Sequence, residues 1–316
     1  MWWISIKRVQ PPPHTVEVSA VVLTLDNADT VDATLESLAA QEPPPAEVVV
    51  VDGGSTDGTR ELAAEHGARV VIEETRGIAR ARNRGIAETS GNVVLFVDAD
   101  IKLEKGFLAA LLPALKDNIA IATGRVGAAD ASSLVERFEG SRTELHFHRA
   151  PARAPSWCTA YTRKLLDELD GFDTQLPTGE DLDLLIRAEG AGFEAVYVPK
   201  AKARHHHRAS IGPWLRQQFG YGVGQGRLVR KHGLHNPGNT LYCLGGLVLV
   251  PLAIAAPYVP AGGLALTLLL VAFLMVDGLP VLFQGLNDHG LAAIAFLPLA
   301  LVRFITYASG FLRGVV

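Results

Sequence analysis

Cysteine and methionine are scarce, two of each in 316 residues. Cys158 and Cys243 stand far apart. They form neither the paired spacing of a disulfide framework nor the clustered spacing of a zinc site, so a reducing compartment is the default. A large excess of charge is missing too. The formal net charge is −4 and there is no basic tail, so no nucleic-acid partner is expected. The opening "MWWISIKRVQPPPHT" lacks an apolar core long enough for a signal peptide. Residues 1–16 read equally well as a frayed leader or as an interfacial lead-in, with Trp2, Trp3 and Ile4 beside Lys7 and Arg8.

From Thr240 onward charge itself nearly disappears, and this segment accounts for the positive mean hydropathy of +0.21. Residues 240–258 carry no charge over about the length that spans a bilayer core. Residues 261–276 form a shorter apolar run, and residues 290–308 a third, interrupted by Arg303. Apolar runs without a polar face suit a bilayer better than the surface of a soluble domain. The expectation is a membrane domain, residues 237–316, with two or three transmembrane helices. Arg227, Arg230 and Lys231 precede the first run and the later loops are poor in positive charge, which places the globular part in the cytoplasm of a membrane-bound protein. Arg303 and Arg313 leave the last run either a third span or an interfacial helix. Asp277 and Pro280 mark a span's end or a functional kink.

The globular part, residues 17–209, alternates strand and helix patterns. β-branched runs at 16–25, 46–52, 68–74 and 91–98 read as strands; 29–41 and 77–90 read as helices between them. Strands apolar on both faces imply a mainly parallel α/β sheet covered on both sides. Ligands of such sheets bind at the carboxyl ends of the strands. Asp26, Asp52 and Asp98 all lie at or just past a strand's end, so they are expected to converge on one cleft. The later part is less regular: helices at 133–149 and 179–193, a strand at 194–199, and an amphipathic interfacial or linker helix over 210–236.

In "LFVDADIK", Asp98 and Asp100 leave a buried strand two residues apart. That pattern suits a hard cation such as Mg²⁺ or Mn²⁺, which keeps open positions for phosphate. "GED" (179–181) opens a helix with acids, which also suits the positive end of its dipole. In "RHHHR" (204–208) three consecutive imidazoles cannot face one ion, but His205 and His207 share a face if the stretch is extended. His146 and His148 read as an ordinary, partly exposed pair.

Six ordered pieces carry a resemblance: "VVLTLDNADTVDATLESLAAQ", "VVVVDGGSTDGT", "RGIARARNRGIAETSGNVVLFVDAD", "WCTAYTRKLLDELDGFD", "GEDLDLLIRAEGAGF" and "PKAKARHHHRAS". Over roughly residues 17–230 the chain resembles the family 2 glycosyltransferases of GT-A fold. The resemblance implies a nucleotide-sugar pocket in which Asp26 and Asp52 meet the base or ribose and Arg76 the diphosphate. Arg80 and Asn83 would line that pocket, with Arg82 and Arg84 left on a solvated helical face. It implies that Asp98 contacts ribose or metal-bound water, and that Asp100 coordinates Mg²⁺ or Mn²⁺ with His205 nearby. Asp181 would be the general base, with Glu180 orienting it or the acceptor. The Q-x-x-R-W signature of processive members is missing from "WLRQQFGYGVGQGR" (214–227), so transfer of a single sugar is expected. Trp214, Arg216, Gln217 and Tyr221 would line an acceptor site at the membrane surface, where a polyprenyl phosphate, lipid-linked saccharide or glycolipid arrives. The alternative is a non-catalytic membrane scaffold that binds a nucleotide sugar.

Overall fold

Alternation explains how the sheet is covered. In a computed structural model that describes residues 16–129, 131–149, 157–235, 237–255, 258 and 260–316, the apolar strands split their side chains between two cores. In β1 (Val18–Thr24), Ala20 and Val22 face one core and Val21 the other; in β4 (Val93–Asp98), Leu95 and Val97 face the first and Phe96 the second. This period of two, applied to strands buried on both faces, is why the runs look continuously apolar.

The first half is a parallel α/β unit. β1, β2 (Glu47–Asp52), β3 (Arg69–Ile72) and β4 are parallel, in the order β3-β2-β1-β4. They are joined by α1 (Val31–Ala39), α2 (Thr59–Glu65) and α3 (Ile78–Ala87). The four strands and the helices α1 and α3 lie where the sequence pattern places them.

The second half extends the same sheet with mixed polarity. β5 (Ile101–Leu103) follows the Asp98–Asp100 turn, then α4 (Phe107–Leu111) and β6 (Ile119–Ala128). After α5 (Leu134–Arg149) come β7 (Cys158–Thr162), α6 (Arg163–Glu168), α7 (Glu180–Gly190) and β8 (Glu194–His205). β7 runs antiparallel to β4 and β6, β6 runs parallel to β8, and β5 pairs antiparallel with β8 at the sheet's edge. The sequence pattern misses β5 and β6 and stops β8 short. β5 is only three residues long, and Gly124 and Gly127 break the β-branched signature of β6.

A long helix, α8 (Ile211–His232), leads into the apolar segment. There α9 (Pro237–Ala255) and α10 (Pro260–Phe273) are followed by a π-helical turn, Leu274–Gly278, then α11 (Leu279–His289), a 3₁₀ turn, Gly290–Ala295, and α12 (Phe296–Val315). Among the described residues one helical run, Val276–Val315, is long and apolar enough to cross a membrane, with a mean hydropathy of 1.9. The π turn carries Asp277, which sits 3.6 Å from the buried Arg303 and accepts a 2.8 Å hydrogen bond from the Tyr242 hydroxyl. Two of the four charged residues after Thr240 thus answer each other. π turns of this kind often mark functional positions. Residues 1–15, which hold the tryptophan-rich lead-in, lie outside the described residues.

α8 is held on two sides by glycine. A Cβ on Gly222 would lie 2.0 Å from the Tyr307 carbonyl oxygen, and one on Gly226 2.4 Å from that of Phe311. From the other helix, a Cβ on Gly310 would lie 2.1 Å from the Phe219 carbonyl oxygen and one on Gly314 2.2 Å from that of Val223. Two G-x-x-x-G stripes therefore bring α8 and α12 into backbone contact, as small residues do between helices in membranes. The opposite side of α8 seats the loop before α7: a Cβ on Gly224 would lie 2.1 Å from Thr178 Oγ1, and Thr178 donates a 2.9 Å hydrogen bond to the Gly220 carbonyl.

Gly222→Ala and Gly310→Ala are each expected to destabilise the protein by about 1–3 kcal/mol, the cost of overpacking. Thermal unfolding in detergent measures this. Gly190→Ala is the control, because a Cβ there meets nothing within 4 Å. It should leave stability unchanged or raise it by up to about 1 kcal/mol.

Candidate active site

The carboxyl end of β4 places Asp98 and Asp100 in a turn fixed from three directions. Asp98 N–H donates to the Trp157 carbonyl at 2.9 Å, Thr34 Oγ1 donates to the Ala99 carbonyl at 2.8 Å, and His206 N–H donates to the Asp100 carbonyl at 2.9 Å. The pairing of β5 with β8 sets Ile101 opposite His205, and this register brings His205 Nε2 within 3.3 Å of Asp100 Oδ2. Burial alone would raise Asp100, but the charge and hydrogen bond of His205 outweigh it and hold the carboxyl below its usual range. Asp98 is pushed up to about 7 by burial, opposed by Arg82 and reinforced by Asp100. His207, whose ring centroid lies 4.2 Å from that of His205, is pushed down to about 3 by burial and by His205.

The second acidic pair opens α7. Gly179 caps it with φ of 82°, a left-handed conformation that suits glycine, and the next two residues are Glu180 and Asp181. Glu180 is buried and accepts a 2.5 Å charge-assisted hydrogen bond from Arg82 Nη1. Burial pushes Glu180 up to about 7, with Arg82 pulling the other way. Asp181 is half-buried and accepts a 2.7 Å bond from Leu182 N–H.

Arg82 corrects the sequence reading, which left it on a solvated face. It is 2 % exposed, and its guanidinium lies 5.7 Å from the Phe96 ring centroid and 5.2 Å from that of Phe172. A helical period carries the signal. Ala79, Arg82 and Gly85 form the buried stripe of α3, and the two small residues let the helix lie close on the sheet. Arg84 is exposed and pairs with Glu88 at 2.9 Å.

Asp98, Asp100, Glu180, Asp181, His205, Gln217 and Tyr221 line one cavity of about 770 Å³. Arg82, Glu139, Arg142, Trp157 and Thr178, which the sequence reading does not select, line it too, together with Asn239, Arg303 and Tyr307 from α9 and α12. Most of the other expected residues lie away from it. Asp52 is fully buried beneath the next loop. It accepts from Thr24 Oγ1 at 2.9 Å, Gly54 N–H at 3.0 Å, Ser55 N–H at 2.9 Å and the Ser55 hydroxyl. Asp26 is exposed, with φ of 54°, and accepts from Thr56 N–H at 2.8 Å. Arg76 and Arg80 are exposed. Asn83 clamps the Phe172 backbone by two 2.8 Å bonds, one given and one received. Trp214 faces the core, edge-on to Phe138 with ring centroids 5.8 Å apart, and donates from Nε1 to Glu139 at 2.8 Å; Arg216 is exposed. His146 lines the cavity, whereas the side chain of His148 lies outside the described residues.

The donor set fits a divalent ion by its orphaned atoms. Asp98 Oδ1 and Asp100 Oδ1 are buried without a hydrogen-bond partner, and a cation is the natural complement of two such oxygens. No group of three or more His, Cys, Asp or Glu side chains among the described residues is arranged around a common ion position. Mg²⁺ needs no such cage: it binds through one or two carboxylates and completes its shell with water and substrate phosphate.

A carboxyl whose folded pKa lies above its unfolded value stabilises the protein below the unfolded pKa and loses that contribution as pH rises through the folded one. Glu180 moves from 4.5 to about 7. Stability should therefore fall between about pH 4.5 and pH 7.5, and Glu180→Gln should flatten that slope. Chemical denaturation at a series of pH values reads the difference.

The family model "Glycosyl transferase family 2" matches residues 19–166, and "Glycosyl transferase family group 2" matches residues 93–307. The chain is 28 % identical over 246 residues to a pre-mycofactocin glycosyltransferase of Mycobacterium tuberculosis. That match covers 72 % of the chain and 51 % of the relative, so the chain spans about half the length of that curated relative. It is 26 % identical to the succinoglycan biosynthesis protein ExoA of Rhizobium meliloti, with 93 % of both covered. Among solved structures it resembles a mannosyltransferase from Pyrobaculum calidifontis in complex with GDP-Man and Mn²⁺, with a TM-score of 0.62 at 20 % identity over 92 % of this chain and 90 % of that one. It also resembles a glucosyl-3-phosphoglycerate synthase from Mycobacterium tuberculosis in complex with Mn²⁺, UDP and phosphoglyceric acid, with a TM-score of 0.52 at 23 % identity over 70 % and 80 %. These structural likenesses show a GT-A fold. With a family model covering most of the chain and the paired acids at the end of β4, the protein belongs to the family 2 glycosyltransferases.

Proposed function

We propose that the protein is a metal-dependent, inverting hexosyltransferase. It moves one sugar from a UDP- or GDP-sugar to a membrane-associated acceptor: a polyprenyl phosphate, a lipid-linked saccharide or another glycolipid. The observation that carries this reading is the composition of a single cavity, lined by Asp98, Asp100, Glu180 and Asp181 from the α/β unit and by Asn239, Arg303 and Tyr307 from the apolar helices. A polar donor and an acceptor embedded in a bilayer need such a shared space.

Asp98 and Asp100 would hold Mg²⁺ or Mn²⁺, and the ion would supply positive charge to the diphosphate leaving group. Asp181 takes the proton of the acceptor hydroxyl as its oxygen attacks the anomeric carbon. The new C–O bond forms on one face of the sugar while the bond to the diphosphate breaks on the other, and the electron pair leaves with the nucleotide. Configuration therefore inverts. Glu180 cannot serve as well, because Arg82 already engages its carboxylate. Asp26, Arg76 and Arg80, exposed along the carboxyl edge of the parallel strands, would meet the nucleotide. Asp52 and Asn83 would shape its pocket through the loops that they hold. Gln217 and Tyr221 meet the acceptor; Trp214 anchors their helix, and Arg216 lies toward the membrane surface.

In this reading the apolar helices anchor the protein in the cell membrane by two or three spans, with the catalytic unit on the cytoplasmic side. The long apolar run Val276–Val315 and the basic residues before α9 support that placement.

The test is a panel of labelled UDP- and GDP-sugars with Mn²⁺ or Mg²⁺, incubated with the purified protein and extracted membrane lipids. Asp181→Asn should lower turnover by about 10²–10⁴-fold, the range for loss of a general base, without changing nucleotide affinity. Asp100→Ala should abolish metal-dependent nucleotide binding. The reading fails if the wild type consumes no donor and both variants bind nucleotide as it does; donor binding without turnover would instead support a scaffold.

A further inference from the structure

Two groups of buried polar atoms in the cavity differ in chemical type. On the strand side, the unpartnered oxygens of Asp98 and Asp100 are acceptors. On the helical side, Gln218 Nε2 and Arg303 Nε are donors, also buried and without a hydrogen-bond partner. Gln218 is 1 % exposed and Arg303 7 %, and both line the cavity. A buried donor left unpaired costs about 1–3 kcal/mol, and here two such donors come from α8 and α12, the helices locked together by the glycine stripes.

The local charge has the matching sign. Arg142, Arg208 and Arg303 all line the cavity. Glu139 pairs with Arg142 at 2.9 Å, and Asp277 lies 3.6 Å from Arg303. Arg208, just beyond β8, is exposed and makes no ion pair among the described residues. Two of the three guanidinium groups thus have a carboxylate beside them, and Arg208 has no such partner among the described residues. An uncharged lipid could offer the orphan donors only neutral oxygens and would bring no charge to Arg208, whereas a phosphate offers charged oxygens to all three.

We infer that the helical side of the cavity is a phosphate subsite, formed by Gln218, Arg303 and Arg208, and that the acceptor is a lipid carrying a phosphate ester. This rests on the proposed transfer to a membrane-associated acceptor and selects among its candidates, excluding neutral glycolipids. The donor's diphosphate is assigned to the other side, where the orphan carboxylate oxygens call for a cation.

Binding to the full chain in detergent micelles tests this, with a labelled short-chain polyprenyl phosphate, the matching polyprenol and inorganic phosphate as ligands. The lipid phosphate should bind at least about tenfold more tightly than the alcohol, as charge-assisted hydrogen bonds allow. Inorganic phosphate at the same concentration should not displace it. Arg208→Gln and Gln218→Met should each weaken the lipid phosphate by about tenfold and leave the binding of UDP and GDP with Mn²⁺ unchanged. Arg303→Gln should weaken it further. Because that change also removes the cation beside Asp277, the exposed Arg208 and the uncharged Gln218 keep the test valid if the Arg303 variant does not fold. Equal affinity for polyprenol, displacement by inorganic phosphate, or wild-type affinity in both the Arg208 and Gln218 variants would overturn the subsite. Sugar transfer to a neutral lipid would overturn it too while leaving the glycosyltransferase reading intact; absence of any donor consumption would remove that reading instead.

Discussion

The ion pair between Arg82 and Glu180 joins the two halves of the catalytic unit. It links α3 of the parallel half to the first residue of α7 in the mixed half, and both side chains are almost fully buried. Such a pair costs much desolvation and contributes little net stability, but losing either partner leaves an uncompensated charge. Its value here is positional. The guanidinium is packed against Phe96 of the central strand and Phe172 of the loop before α7, so Glu180 meets it in a single place. Asp181 follows directly in the chain and faces the cavity. One carboxylate sets the helix, and its neighbour lines the cavity.

Glycine carries that positioning into the apolar helices. α8 lies between the Thr178 loop, which precedes the two acids, and α12, which supplies Arg303 and Tyr307 to the same cavity. Both contacts are made by backbone approaching backbone, and such an interface has little room for adjustment. The acids of α7 and the side chains of α12 are therefore held at a set separation across the cavity.

Much of the parallel half was legible in the residues. Strands buried on both faces, helices with one apolar face and turns rich in glycine each leave a local mark; of the three strand-end acids expected to converge, Asp98 lines the cavity and Asp26 and Asp52 do not. The mixed half was less so. β5 is too short to show a period, β6 is interrupted by glycine, and β8 continues through "KAKARH", which reads as polar. α11 and the π turn also went unread, because apolar composition marks the length of a run and not where its helix changes pitch. Arg82 was placed in water because arginine usually belongs there, although the stripe of Ala79, Arg82 and Gly85 pointed inward.

By itself the sequence determined the class of sheet, the acidic character of the site and the apolar final quarter, since each is a property of neighbouring residues. The tertiary structure alone decided that Glu180, 98 residues from Arg82, meets it. It alone decided that an edge-strand register brings His205 to Asp100 and that Asn239, Arg303 and Tyr307 share a cavity with Asp98, Asp100, Glu180 and Asp181. These are contacts between distant segments, set by strand register and helix packing, and no local period records them.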